Sequence, residues 1–473
     1  MNTSNTPGLR YWIVAHVAAV FLFLAIPRRA FSEDRVDLKA LYYQESDHRM
    51  QIISPTFMVE HELSPTLTIK IDGIYNSISG ATPSGAPPLK NTTYYSTVTQ
   101  SGGGGTTFVP APVVPDFNDD DDEYEDEDED EDEDEEDKIR NRLFGKSSGP
   151  YYAKAGATPT APAPTPAATP SAAPAGSSGG SSSTTAANTV TEYDKAGKAP
   201  RADVEDERFG LNLELAKRLG RHTLVFQGAY SQESDYISRG IALRDSVDFN
   251  QKNTTLTLGA SYANDEVDAV TMAGPETKDS IDMMVGVLQV LNKKTTLTLN
   301  ATVGMTDGYL TDPYKVVELN GTLVSERRPD SKDKQVLYMA LNRYIGTLNG
   351  AVELSYRFYN DSFGIGAHTA GFAWYQKIGT TLIVSPALRY YVQSEADFYD
   401  TQFAGDPVSY SSDYRVSEMS ALGYGVKVIW RPSERFSYNV AVDQYVQEGL
   451  DGVTADDMYP SALSVMAGVR VWL

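Results

Sequence analysis

The chain has 473 residues and a formal charge of −24, with 40 Lys and Arg against 64 Asp and Glu. Nineteen of those acids fall between Asp116 and Asp137, so the acidity is local and the remainder is nearly balanced. Without a basic stripe the composition argues against nucleic-acid binding. The absence of cysteine excludes disulfides, a lipoprotein anchor, thiolate metal sites and covalently attached haem.

The N-terminal "MNTSNTPGLRYWIVAHVAAVFLFLAIPRRAFSED" carries Arg10, an apolar run from Tyr11 to Pro27, and the small-x-small site Ala30-Phe31-Ser32. This pattern predicts a cleaved secretory signal peptide over 1–32. A membrane anchor is the weaker alternative, because the run is short and is broken by His16. A strand-like block follows over 33–79, then low-complexity chain over 80–204, then strand-like sequence again over 205–473.

Within the low-complexity part, "NDDDDEYEDEDEDEDEDEEDK" (Asn118–Lys138) is followed by Pro/Ala/Thr-rich and Gly/Ser-rich sequence. Like charges inside a Debye length repel, and such sequence buries no apolar area, so the expectation is a disordered loop. The acidic string lacks the glycine and ligand spacing of an EF-hand. Its carboxylates, Asp119, Asp120, Asp121 and Asp122 first, are at most weak, non-specific ligands for calcium or another divalent cation, and no other cofactor is expected.

Elsewhere the chain alternates with period two. In "TTLTLNATVGM", Leu297, Leu299, Ala301, Val303 and Met305 share one face against Thr298, Asn300, Thr302 and Gly304. "TTLTLGASY", "TLNGAVELSYRF" and "FSYNVAVDQ" repeat the pattern, giving strands with one apolar and one polar face. A soluble sandwich alternates too. Long segments, charges in mid-strand and connections of alternating length favour a membrane-spanning antiparallel up-and-down β-barrel instead.

The segments are 34–46, 49–62, 65–78, 206–219, 222–233, 237–249, 254–266, 280–291, 295–308, 334–345, 348–360, 363–377, 381–396, 414–430, 436–447 and 460–473, about 16 strands with a range of 14–18. Short turns such as "LGRH" and "KIGT" alternate with polar loops near 266–279, 309–333, 396–413 and 448–459. In an outer-membrane barrel the short turns are periplasmic and the long loops extracellular. Aromatics are expected at both interfaces: Tyr75, Tyr230, Tyr262, Phe358 and Tyr390 outward, Trp374, Tyr375, Trp430, Phe436 and Trp472 near the turns.

Charges on the polar faces are the functional candidates. Glu353, Arg357, Arg389, Lys427, Asp443 and Arg470 are expected to line the lumen, either as a constriction that selects solutes or seats a partner, or as mutually neutralising pairs in a filled barrel. The final strand alternates to the last residue. Val469, Val471, Trp472 and Leu473 resemble the C-terminal signal read by the barrel assembly machinery, with Leu473 standing where an aromatic is usual.

"ALYYQESDHRMQIISPTFMVEHELSPTLTIKIDGIYNSISGATPSGA" resembles the opening of the family called domain of unknown function 3570, through Tyr42-Tyr43, the Ser64-Pro65 hairpin and above all Ser77–Ala86. The resemblance implies a large antiparallel barrel in the outer membrane of Gram-negative bacteria, surrounded by outer-membrane lipid. It carries no catalytic residues. Neighbouring thioredoxin-like and flavin-transferase genes in that family imply a periplasmic or surface redox partner. The insert over about 100–200 is expected to lie outside the family core.

Enzyme signals are missing. The histidines at 16, 48, 61, 222 and 368 are scattered, "HELSP" has no second zinc histidine, "FGKSSG" lacks the first glycine of a phosphate loop, and no Gly-x-Ser-x-Gly occurs. The expected function is a pore, or a conduit or sleeve for an electron-transfer partner. Surface adhesion through the acidic loop is the alternative, and no enzymatic activity is expected.

Overall fold

A computed structural model describes residues 34–83 and 201–473. The signal-peptide and acidic-loop expectations, including Asp119–Asp122, lie outside the described residues. The strands are β1 (Arg35–Glu45), β2 (Met50–Ser64), β3 (Leu67–Pro83), β4 (Arg201–Leu219), β5 (His222–Gln232), β6 (Tyr236–Phe249), β7 (Thr254–Val267), β8 (Glu276–Asn292) and β9 (Thr295–Gly308). They continue as β10 (Val316–Leu319), β11 (Thr322–Ser325), β12 (Ser331–Ile345), β13 (Gly350–Asp361), β14 (Gly366–Ile378) and β15 (Leu382–Gln393). The last are β16 (Gln402–Phe403), β17 (Met419–Ser433), β18 (Phe436–Gly449) and β19 (Ser461–Trp472).

All but β10, β11 and β16 form one closed barrel of sixteen strands, in chain order, with β1 closing on β19. Every neighbouring pair is antiparallel, and the seam runs in unbroken register from Arg35↔Trp472 to Glu45↔Ala462. Closure leaves no unpaired edge, which a lipid environment demands because it offers backbone groups no hydrogen bonds.

Side-chain exposure follows the sequence period. Leu243 is 57% exposed and the next residue, Arg244, 9%; Leu354 is 48% exposed and Glu353 8%. An exposed apolar outside around a polar inside is the membrane-spanning arrangement, the inverse of a soluble protein. Tyr230, Tyr262, Tyr390, Trp430 and Phe436 belong to the exposed set. Tyr375 does not: it packs inward with Tyr344, Ala351 and Ala373, because its neighbour Trp374 takes the outer position. Tyr75 is also buried, although its register partner Phe209 is exposed.

The turns at one end are tight. Gly220 and Gly379 both have φ of 62°, where a side chain would be strained. At the other end β3 and β4 pair out to Pro83↔Arg201, beyond the 79 and 205 boundaries expected from composition, since an antiparallel ladder continues for as long as both chains stay extended.

The loops at 309–330 and 394–418 depart furthest from expectation. Polarity predicts solvated connections there. Instead β10 pairs antiparallel with β11 and parallel with β16, tying the two loops into a small three-stranded sheet.

Candidate functional site

The barrel interior has two parts, a charged wall and a roof of folded loops. Each strand turns alternate side chains inward, so a charge at any inward position faces the lumen. Glu353, Arg357, Arg389, Lys427, Asp443 and Arg470 all stand on the face opposite the exposed apolar residues of β13, β15, β17, β18 and β19. They do not converge on one point. Arg470 lies at the seam near the short-turn end, where its Nε and Nη2 donate to Asp37 Oδ1 and Oδ2 at 2.8 Å each. Glu353 sits near the start of β13 and is buried, with Asn342 and Ala373 beside it in register. Lys427 is buried between Ser385 and Ala441, and Asp443 lies between Gly425 and Ser464.

Further lumen pairs escaped the sequence reading: Lys334–Asp282 at 2.8 Å, Arg35–Glu60 at 3.0 Å and Asn212 donating to Asp72 at 3.1 Å. Arg35 and Glu60, and Asn212 and Asp72, sit on neighbouring strands, while Lys334 of β12 reaches Asp282 of β8 across β9, and only the register brings the partners together.

The roof covers the long-loop end, and every described connection there joins it. In its centre Arg415 donates to Asp312 at 2.6 Å and to both oxygens of Asp413 at 2.8–2.9 Å. Arg328 bonds Glu326 at 2.6 Å and Asp413 at 2.8 Å. Burial raises the Asp312 carboxyl, against the pull of Arg415. Burial acts the same way on Asp413, but Arg415, Lys315 and Arg328 together hold it below the usual carboxylate range.

From this centre the contacts run to the rim. Tyr314 donates its hydroxyl to Asp235 in the β5–β6 turn, and Thr271 of the β7–β8 loop donates to the Pro313 carbonyl at 2.9 Å. Phe363 of the β13–β14 turn packs edge-on against Phe398. Tyr414 packs with Met419, Met458 and Tyr459, and the guanidinium of Arg49 in the β1–β2 turn lies 5.9 Å from its ring. Arg49 also donates to the carbonyls of Asp457 and Met458, both at 3.0 Å. Just beneath, Tyr43, Met50, Ile52, Ile78, Ala421, Tyr445 and Ala462 form an apolar cluster inside the mouth, against which Tyr391 packs.

Among the described residues, one group of carboxylates could hold a cation. Asp206, Glu233 and Asp235, all buried, bring ligand atoms within 4.8 Å of one another. Counter-groups already stand there: Arg208 lies 3.5 Å from Glu233, and Tyr314 bonds Asp235. Burial first, opposed by that tyrosine hydroxyl and reinforced by Asp206, pushes the Asp235 carboxyl up to about 6.

Of the C-terminal residues, Val469 and Val471 pair with Leu38 and Val36, and Leu473 N donates to the Asp34 carbonyl at 2.8 Å. Arg431 and Arg470 lie 5.0 and 5.7 Å from the Trp472 ring.

The family model for "Protein of unknown function (DUF3570)" matches residues 15–142, 153–275 and 271–470. The chain belongs to the DUF3570 family. The matched spans run into the acidic insert, to residue 142, and resume at 153. No curated protein matches this DUF3570 sequence. Among solved structures it is similar to the outer membrane protein opdK from Pseudomonas aeruginosa, at 8% identity over 93% of this chain and 99% of that one, with a TM-score of 0.37. A bacterial polysaccharide outer membrane secretin gives 8%, 93%, 98% and 0.41. The siderophore receptor PirA from P. aeruginosa gives 8%, 93% and 0.38, and the DUF3570 chain spans 62% of its length.

Proposed function

We propose that this DUF3570 barrel sits in the outer membrane of a Gram-negative bacterium and conducts small polar solutes, with its mouth closed by folded loops. The inner wall carries the reading: charged side chains of both signs face the lumen of a closed barrel whose outside is apolar. Both described ends, Asp34 and Leu473, meet at the short-turn side, which supports a periplasmic location for that side. Surrounding lipid meets the apolar belt, and the barrel assembly machinery reads Val469, Val471, Trp472 and Leu473. The signal peptide over 1–32 directs export.

A cysteine-free chain would borrow any redox chemistry, so as a sleeve it would enclose an envelope electron-transfer partner. A second reading is surface interaction. β3 ends and β4 begins at the same end as the roof, and the acidic sequence between them would favour an encounter with cations or a basic partner.

The test is single-channel recording of the full-length protein in planar bilayers. Native barrels are expected to show sparse conductance steps, and Arg415→Ala, which releases the roof, larger and more frequent ones. Silence from both overturns the channel. Deletion of residues 100–200 with unchanged surface binding overturns the second reading.

A further inference from the structure

We propose that Arg357 and Arg389 form a subsite for a small organic carboxylate on the inner wall. The proposal rests on the channel reading and names the solute class it favours. The two arginines lie slightly past the middle of β13 and β15, with β14 between them. In register, Arg357 faces Thr369, while Arg389 faces Gly371 on one flank and Gly423 on the other. A Cβ on Gly371 would fall 2.4 Å from Ser355 Oγ, and one on Gly423 would fall 3.7 Å from the Tyr445 ring and 3.8 Å from the Arg389 Cβ. Neither neighbouring strand position carries a side chain; Ser355 fills the Gly371 flank, and the Gly423 flank leaves a recess between Arg389 and the Tyr445 ring.

The charges in this recess lack the counter-charge that several other cations of the barrel have. Arg470, Lys334 and Arg208 each have a carboxylate partner, at 2.8, 2.8 and 3.5 Å. The side chains of Arg357 and Arg389 have no ion pair or hydrogen bond among the described residues; each instead lies over a tyrosine ring, Arg357 at 5.5 Å from Tyr359 and Arg389 at 5.8 Å from Tyr391. The nearby carboxylate of Asp361 is committed to Lys332 at 2.9 Å and to the Tyr359 hydroxyl at 2.7 Å. Two like charges on one inner face, a single strand between them, repel one another. An anion entering the recess relieves that repulsion, and the fork of each guanidinium matches the two oxygens of a carboxylate. Tyr391, two residues roofward of Arg389, and Tyr445, across from Gly423, wall the recess, and their rings suit the apolar body of an organic acid better than a fully hydrated inorganic ion.

Benzoate and inorganic phosphate are the probes, titrated calorimetrically into the full-length protein in micelles and added to single channels in bilayers. Benzoate is expected to bind more tightly than phosphate. Arg357→Gln and Arg389→Gln should each weaken it about tenfold, the scale of one lost charge-assisted hydrogen bond. Arg389→Lys should fall between. Gly423→Val, which fills the recess without changing charge, should weaken it as well, and Lys252→Gln in a distant turn should leave it unchanged. Benzoate affinity within twofold of native in both glutamine variants, or phosphate binding the tighter of the two, overturns the subsite. Arginine-dependent binding in a barrel that never conducts overturns the channel and leaves the subsite standing. Conductance without that binding does the reverse.

Discussion

Asp413 is the residue on which the roof turns, because it accepts from Arg328 and Arg415 together. Removing one partner of a buried charge network leaves the others uncompensated, at a cost of about 3–5 kcal/mol. Asp413→Asn should therefore free the 394–418 loop, seen as faster amide exchange and proteolysis there with barrel strands unchanged. Asp406→Asn, at an exposed site in the same loop, should have no effect. A protected 394–418 loop in Asp413→Asn would remove the network from this role. Asp235 makes the roof pH-sensitive at another point. Its folded-state carboxyl value of about 6 exceeds the ordinary 3.8, so the folded state binds the extra proton. The resulting stability, roughly 2–3 kcal/mol, is present at pH 4 and lost as pH rises through about 6. Protection of 309–330, corrected for intrinsic exchange, should fall across that window, and Asp235→Asn should flatten the profile. None of these residues stood out in the sequence. Asp413 and Arg415 sit two apart in what composition reads as polar loop, and the partners Asp312 and Asp235 lie far away in the chain.

Strands were the legible elements, for a physical reason: lipid outside and charge inside impose a strict two-residue period, and only the ends are negotiable. Hence the segment expected at 295–308 matches β9 to the residue, while the segment placed at 414–430 becomes β17 from Met419 to Ser433. Its first residues are recruited into the roof, with Tyr414–Val416 forming a single 3-10 turn capped by Asp413. Periodicity cannot register that kind of tertiary capture. One glycine links strand to roof. Gly80 in β3 has φ of 134°, and a Cβ there would fall 1.7 Å from the carbonyl oxygen of Arg49. Gly80→Ala must push the β1–β2 turn aside and withdraw the Arg49 guanidinium from the Asp457 and Met458 carbonyls. Exchange should then rise in 450–460 as well as in 46–49. A change confined to 46–49 would show that Arg49 does not couple the two.

At the scale of the whole molecule, stability depends on closing the ring, and the closure is the one pairing that joins opposite ends of the chain. Alternation in "SALSVMAGVRVWL" foretells a final strand but cannot say that Arg470 will meet Asp37, which lies at the other terminus. Both side chains are buried at the seam, and their pair is bidentate. Burying an ion pair removes two hydration shells, so its net contribution differs from the cost of breaking it. Arg470→Met alone should strand the Asp37 carboxylate and cost about 3–5 kcal/mol, whereas Arg470→Met with Asp37→Leu should recover most of the loss. Urea unfolding in micelles, followed by tryptophan fluorescence, reads this directly because Arg470 lies 5.7 Å from the Trp472 ring. The shape of the cycle is what decides. Recovery in the double variant identifies the pair as a device for register, which apolar packing can replace. If the double variant is as unstable as the single, the seam depends on the charges themselves, and the lumen near the short-turn end must then be wet enough to leave them partly hydrated.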